Sequence, residues 1–424
     1  MRLISPRQCW KAEPNLLMLA DDPPLSPKLL ERRKQDGAAI MSNRWILSEY
    51  DVESAFQQPA PFLKTLKSHG LAVTHTRLIG GRRDGVELLT VNNGDFSFTT
   101  IPTRGMGIHQ AKHGDTQLGW TSPVEGPVHP RFVPLSEPSG LGWLDGMDEL
   151  IVRCGLESNG APEFDSETNR LKYGLHGRIA NQPTEDVVVE VSEDGELCIS
   201  GEVRETRFLC YNVAMKTEIR TKDGENGFRI RDSIINRSAQ ATTAQMLYHI
   251  NLGAPILGEG ASVVCPAVEV CPRNDHAATG IKQWSQYAGP TNGFVEQVYF
   301  MQLAADDKGQ TCALLKNAAG DKGVSIHFNI KQLPYFIIWK NTAATEDGYV
   351  TGLEPATNFP NPRSFEEKHD RVIKLAPKAT YDIDLALQFH PDSASVEAVE
   401  KGISDLAFAT DAKVHATPQA NWCS

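Results

Sequence analysis

Short runs of apolar residues, broken every few positions by Gly, Asn or Asp, dominate this chain from about Trp45 onward. Val187-Val188-Val189-Glu190-Val191, Glu193-Asp194-Gly195 and Leu197-Cys198-Ile199 read as strand, turn, strand. Lys216–Arg220 and Phe228–Ile235 flank the turn material from Lys222 to Gly227 in the same way. Glu87–Val91, Phe96–Thr100, Val324–Ile330, Phe336–Trp339 and Tyr381–Phe389 add further strands. A helix fits Ser395–Leu406, where Val396, Val399, Ile403 and Leu406 fall near one face, and a second is expected within Val52–His69, interrupted by Pro59 and Pro61. Many short strands and few helices point to an all-β sandwich or barrel.

Residues 1–40 differ from the rest. Five prolines (Pro6, Pro14, Pro23, Pro24, Pro27) and the charge run Glu31-Arg32-Arg33-Lys34 oppose regular structure, and Met41 follows directly. The expected organisation is an N-terminal extension over 1–44, one β-sandwich domain over 45–410, and a C-terminal tail over 411–424. Neither an internal repeat nor a low-complexity tract subdivides it.

Composition narrows the function. With 40% hydrophobic and 22% charged residues the chain can build a large core. Its 53 acidic side chains outnumber 42 basic ones, giving a net charge of −11, so a nucleic-acid partner is not expected. No stretch approaches the ~20 apolar residues that span a bilayer, and Leu16–Ala20 is too short and too closely flanked by charge for a secretory signal, so a cytoplasmic protein with no membrane partner is expected. The eight cysteines form no CxxC pair. Cys265 and Cys271 lie nearest in sequence without completing a zinc ligand set, which suits thiols in a reducing compartment.

Three segments carry candidate chemistry. They are Tyr173-Gly174-Leu175-His176-Gly177-Arg178, Leu247-Tyr248-His249-Ile250-Asn251-Leu252-Gly253, and Gly352-Leu353-Glu354-Pro355-Ala356-Thr357-Asn358-Phe359-Pro360. In a strand, Gln245, Leu247, His249 and Asn251 share one face, and Met246, Tyr248, Ile250 and Leu252 the other. A hydrogen-bonding row backed by an apolar face suits the floor of a cleft for a polyhydroxylated ligand. Pro355 holds Glu354 extended, and apolar neighbours would raise its pKa toward that of a useful general base. Taken singly, each admits a plainer account: a His satisfied by a buried neighbour, or a surface Glu at a strand exit.

Together, in order, Leu175-His176-Gly177, His249-Ile250-Asn251-Leu252 and Leu353-Glu354-Pro355-Ala356-Thr357-Asn358-Phe359-Pro360-Asn361 resemble the motif series of the aldose 1-epimerase (galactose mutarotase-like) superfamily. Thr103–Met106, Cys154–Leu156, Glu296–Phe300 and Leu333–Lys340 extend the resemblance, over about 70–390, to a bacterial branch of it. The resemblance implies a galactose-mutarotase-like β-supersandwich and an isomerase that interconverts the anomers of a sugar. Glu354 then corresponds to the base that takes the anomeric proton, and His249 to the acid that protonates the ring oxygen. His176 corresponds to a sugar-binding His, and Arg153 to the substrate-binding Arg, with Arg104 or Arg178 as alternatives. Asn251, Glu296 and Trp339 complete the expected sugar contacts. Two proton-transfer groups suffice for ring opening, so no cofactor and no metal is expected.

The resemblance leaves substrate choice open, because Ile250 and Asn251 replace the usual aromatic pair after the catalytic His. A related sugar-processing enzyme on the same scaffold (hexose-phosphate epimerase, hydrolase or lyase) and a non-catalytic carbohydrate-binding protein stand as alternatives. Arg104, Arg153, Arg178 and Lys340 are the basic residues a phosphosugar would need. A small-molecule sugar is the expected partner, and the protein is expected to be a monomer or homodimer. His109 and His113 sit in strand-and-turn sequence, where a four-residue spacing does not make a ligand pair, and Gly105-Met106-Gly107 lacks the strand–turn–helix setting of a nucleotide loop.

Overall fold

Two antiparallel sheets account for most of the computed structural model, which describes residues 43–46, 63–406 and 412–424. The nine-stranded sheet begins with Asn43–Ile46 at one edge and runs through Thr184–Val191, Glu196–Arg207, Tyr211–Lys222 and Gly227–Asn236. It continues with Thr380–His390, Gly323–Asn329 and Gln310–Lys316 to Ser262–Val264. The fourteen-stranded sheet enters at Leu63–Ser68 and reaches Ile151–Leu156 through the chain's early hairpins. From there it passes through Thr242–Leu252, Val350–Ala356, Tyr335–Asn341, Gln297–Leu303 and Ala267–Pro272, with Lys413–Val414 added in parallel at its edge.

Alternation explains how the sheets stack. Val189, Ile199, Met215, Ile230, Ile326 and Leu385 of the smaller sheet meet Leu89, Phe98, Ile151, Met246, Tyr248, Ile250 and Leu353 of the larger in one buried cluster. Val152, Cys154, Leu247, Ile337 and Ala356 point away from it, into a second cluster on the outer face of the larger sheet. Fully buried apolar side chains are each worth about 1.5–3 kcal/mol, so a one-residue slip, which would exchange the faces, is strongly opposed.

Every expected strand is present, most of them longer than expected (Glu196–Arg207 and Tyr211–Lys222 above all), and the helix is found at Ser393–Leu406, with Val396 and Ile403 packed on Leu314. The helix expected within 52–69 is not formed where it can be seen. Leu63–Ser68 is a strand paired with Leu71–Arg77, because His69 (φ 50°) and Gly70 (φ 78°) reverse the chain in a two-residue turn; residues 52–62 lie outside the described residues. Asn43 and Arg44, expected in the N-terminal extension, pair with Val191 and Glu190. Residues 1–42 lie outside the described residues. Beyond residue 411 the chain packs: Lys413–Val414 pairs with Glu269–Val270, and Trp422 is buried against Phe359.

Candidate functional site

His249 and Glu354 meet on the outer face of the larger sheet, on adjacent strands. The Thr242–Leu252 strand pairs with Val350–Ala356, setting Asn251 opposite Gly352 and Ile250 opposite Leu353. Glu354 Oε1 lies 3.2 Å from His249 Nε2, with both side chains almost fully buried. The contact is within ion-pair distance but poorly directed for a hydrogen bond, and Oε1 has no hydrogen-bond partner among the described residues. Gly352 makes the approach possible, since a Cβ there would stand 2.5 Å from Glu354 Oε1 and 3.0 Å from His249 Cε1.

A chain of polar contacts orients His249. Asn251 Nδ2 donates to the Glu149 carbonyl at 2.9 Å, so its Oδ1 faces His249 Nδ1 at 2.7 Å and accepts that nitrogen's proton. Nε2 is thereby left as an acceptor facing Glu354. Glu149 is itself held by Arg104 Nε at 2.6 Å. Asn251, expected to touch sugar, holds His249 and does not line the cavity described below. Arg104 stands one step further back, with its other donors on Val128, Gly146 and Asn181.

His176 arrives from a loop. Its φ is 56° and Gly177 follows at 71°; a side chain at Gly177 would strike the Ser158 carbonyl at 2.0 Å, so the Leu-His-Gly spelling suits a tight turn. Nδ1 donates to the Asn159 carbonyl at 2.9 Å, leaving Nε2 as an acceptor. The His176 and His249 rings stand edge-on at 5.4 Å, Trp143 lies 4.6 Å from His176, and Trp339 lies 5.3 Å from His249. These groups line a cavity of about 370 Å³ that also takes in Arg273, Glu296, Leu141, Leu144 and Pro360. Glu296 accepts from Trp339 Nε1 at 2.6 Å and lies 3.7 Å from Arg273.

Burial pushes the pair toward neutrality. It holds the Glu354 carboxyl well above its ordinary range, with a smaller push from Glu296. It lowers His249 to about 3, with His176 adding to the shift, and lowers His176 to about 4. Both shifts favour the uncharged form of each group.

Arg153 is not at the cavity. It points into the core between the sheets, where Nε and Nη2 bind Asp232 at 2.6 and 3.1 Å, and Tyr248 Oη donates to the same carboxylate at 2.7 Å. Arg178 pairs with Glu157 and Glu205, and Lys340 is buried on the carbonyls of Gln283 and Gln286. Neither lines the cavity. His109 bonds Asp148 at 2.8 Å, and His113 packs on Phe389. Sequence reasoning missed Trp143, Arg273 and Gly352. The first two come from loops without periodic signal, while Gly352 stood in view beside Leu353-Glu354 without a stated role.

Comparison with known proteins gives this arrangement its class, a galactose-mutarotase-like β-sandwich. A crystal structure from Klebsiella pneumoniae, described as that of "a putative aldose 1-epimerase", is 37% identical, with 89% of this chain and 99% of that chain covered and a TM-score of 0.83. A galactose mutarotase-like protein from Clostridium acetobutylicum shares the fold at 14% identity, covering 78% of this chain and 99% of its own, with a TM-score of 0.51. The Slr1438 protein from Synechocystis does so at 11% identity, covering 81% and 100%, with a TM-score of 0.50. No curated protein matches the sequence. Residues 83–389 match the family described as "Domain of unknown function (DUF4432)", and the chain belongs to that family, within the aldose 1-epimerase and galactose mutarotase-like superfamily. Among the described residues no helix is long and apolar enough to cross a membrane.

Proposed function

We propose that this protein is an aldose 1-epimerase-like isomerase acting on an uncharged aldose, with Glu354 as base and His249 as acid. The observation that carries the reading is the misdirected 3.2 Å contact between two buried groups that face one cavity. A sugar hydroxyl donating to Glu354 favours its charged form, and the proton it gives up needs to travel only to His249 Nε2. The carboxylate then takes the proton of the anomeric hydroxyl while the imidazolium protonates the ring oxygen. The bond between the anomeric carbon and the ring oxygen opens, rotation about the next carbon–carbon bond turns the carbonyl, and closure on its other face gives the other anomer. The proton inventory is unchanged after each turnover. His176 Nε2 and Glu296 are acceptors for sugar hydroxyls, and the faces of Trp143 and Trp339 suit sugar C–H groups.

An uncharged substrate is favoured because the basic residues counted for a phosphosugar, Arg104, Arg153, Arg178 and Lys340, do not line the cavity. Arg273 does, with Glu296 beside it.

The test is anomeric-proton NMR on a panel of freshly dissolved aldoses, with and without enzyme. Glu354→Gln and His249→Asn should each slow interconversion about 10²–10⁴-fold while sugar still binds, and the double variant should lose less than the product of the two losses. Parent-like rates in folded Glu354→Gln would remove Glu354 as the base.

A further inference from the structure

Cys271 and Cys423, 152 residues apart, bring their sulfurs to 3.8 Å of each other. Cys271 is the last residue but one of the Ala267–Pro272 strand, and Cys423 lies in the C-terminal segment packed beside it. The segment is tied down on both sides of the thiol, the Ser424 N–H beyond it donating to Asn361 Oδ1 at 3.2 Å. The His415 N–H donates to the Val270 carbonyl at 2.9 Å, and Arg371 Nη1 donates to the Asn421 carbonyl at 2.7 Å. Asn361 Nδ2 donates to the Trp422 carbonyl at 2.8 Å, and the Trp422 ring lies 4.8 Å from that of Phe359. The thiols are therefore presented to one another by surrounding structure, and a disulfide needs about 2 Å of sulfur movement, within reach of side-chain rotation.

We propose that Cys271 and Cys423 are a redox-active thiol pair that closes into a disulfide by exchange with a low-molecular-weight disulfide, fastening the C-terminal segment to the edge of the larger sheet. Cys423 is the partly exposed member and Cys271 is buried, which orders the two steps. The Cys423 thiolate attacks one sulfur of the incoming disulfide, forming a mixed disulfide and expelling one thiolate. The Cys271 thiol, losing its proton, then attacks Cys423 Sγ and expels the second. The protein loses two electrons and two protons, and the disulfide is reduced to two thiols. Contact with Cys271, joined by the charges of Arg273 and Arg371, lowers the Cys423 thiol below its ordinary range, while the same contact and burial raise Cys271. The fastened segment abuts two walls of the cavity, since Arg273 lies two residues beyond Cys271 and Pro360 follows Phe359. This proposal is independent of which reaction the cavity performs.

Full-length protein is equilibrated in graded mixtures of reduced and oxidised glutathione, quenched, alkylated and mapped by mass spectrometry. A peptide pair linking Cys271 to Cys423 should accumulate as the mixture becomes oxidising, while the exposed Cys210 takes up glutathione without a protein partner. The His415 amide should exchange with deuterium about tenfold more slowly in the linked form. Cys423→Ser should yield no linked peptide and equal exchange in both mixtures. Recovery of Cys271 and Cys423 as separate alkylated or glutathionylated residues in the most oxidising mixture overturns the proposal, as does a link formed with unchanged exchange at His415. Should Cys423→Ser fail to fold, the map of the parent protein decides.

Discussion

Asn251 Oδ1 accepts the Nδ1 proton of His249 at 2.7 Å, in an orientation set by the Glu149 carbonyl on the amide's other side. The sidedness matters to the proposed mechanism, in which His249 has to present Nε2, and only Nε2, to Glu354. Asn251→Ala removes the acceptor and leaves the ring free to turn. The loss of one buried hydrogen bond is worth about tenfold in rate. The expected result is a fall in kcat with KM little changed, since Asn251 is a positioning residue. Asn251→Asp places a carboxylate against Nδ1, so the acidic limb of the pH–rate profile should move to higher pH. A rise in KM without either effect would return Asn251 to the substrate-binding residues.

Gly352 offers a separate test of the same contact. The extra methyl of Gly352→Ala stands 2.5 Å from Glu354 Oε1, so the carboxylate has to swing away from His249. Displacement of about 1 Å in a reacting group costs on the order of 10²-fold. The rate of anomer exchange should fall by that order while the melting temperature changes by only a few degrees, because the displaced atom is the free end of a flexible side chain.

Arg153 should report on stability and not on substrate. Arg153→Leu strands Asp232 in the core, and breaking a buried pair from one side costs about 3–5 kcal/mol. Denaturant unfolding should show that loss, and Asp232→Leu added to it should restore part of the stability. KM for the sugar should match the parent's under conditions where the variant is folded; a large rise would place Arg153 at the substrate after all.

Stability against pH follows from three groups of the site. His176 and His249 titrate near 4 and 3 in the folded protein, against 6.5 ordinarily. At about pH 5–6 the unfolded chain therefore binds the extra protons, and stability falls as the pH drops from 6.5. Glu354 works the other way: raised above 4.5 by burial, it stays protonated when folded after it has ionised in the unfolded chain, so its contribution declines as pH rises through that window. His249→Asn should flatten the dependence by up to one proton, about 1.4 kcal/mol per pH unit, and Glu354→Gln should steepen it. Chemical denaturation at several pH values from 4.5 to 6.5 checks both slopes. Parallel curves for parent and variants would mean that these side chains do not titrate as their burial dictates.

The sequence by itself determined what depends on neighbours along the chain. Alternation sets the strands, so Met246, Tyr248, Ile250 and Leu252 went to the core while His249 and Asn251 faced the other way. The helix at Ser393–Leu406 was legible for the same reason, since its apolar residues recur at the helical period. Three ordered motifs were enough to indicate the superfamily.

Only the tertiary structure decided which polar residues meet. Arg153, and Arg104 as its alternative, were expected at the sugar because the resemblance implies a substrate-binding Arg ahead of Leu-His-Gly, yet each points toward a buried carboxylate from a distant segment, Asp232 and Glu149. Trp143 and Arg273 reach the cavity from loops whose paths no local pattern encodes. The approach of Cys423 to Cys271 bridges 152 residues of chain and has no trace in the spacing of the cysteines. A strand's face follows from a period of two residues and is written locally. Partnership among buried charges, rings and thiols is settled by how the sheets close over one another, and that is a property of the whole fold.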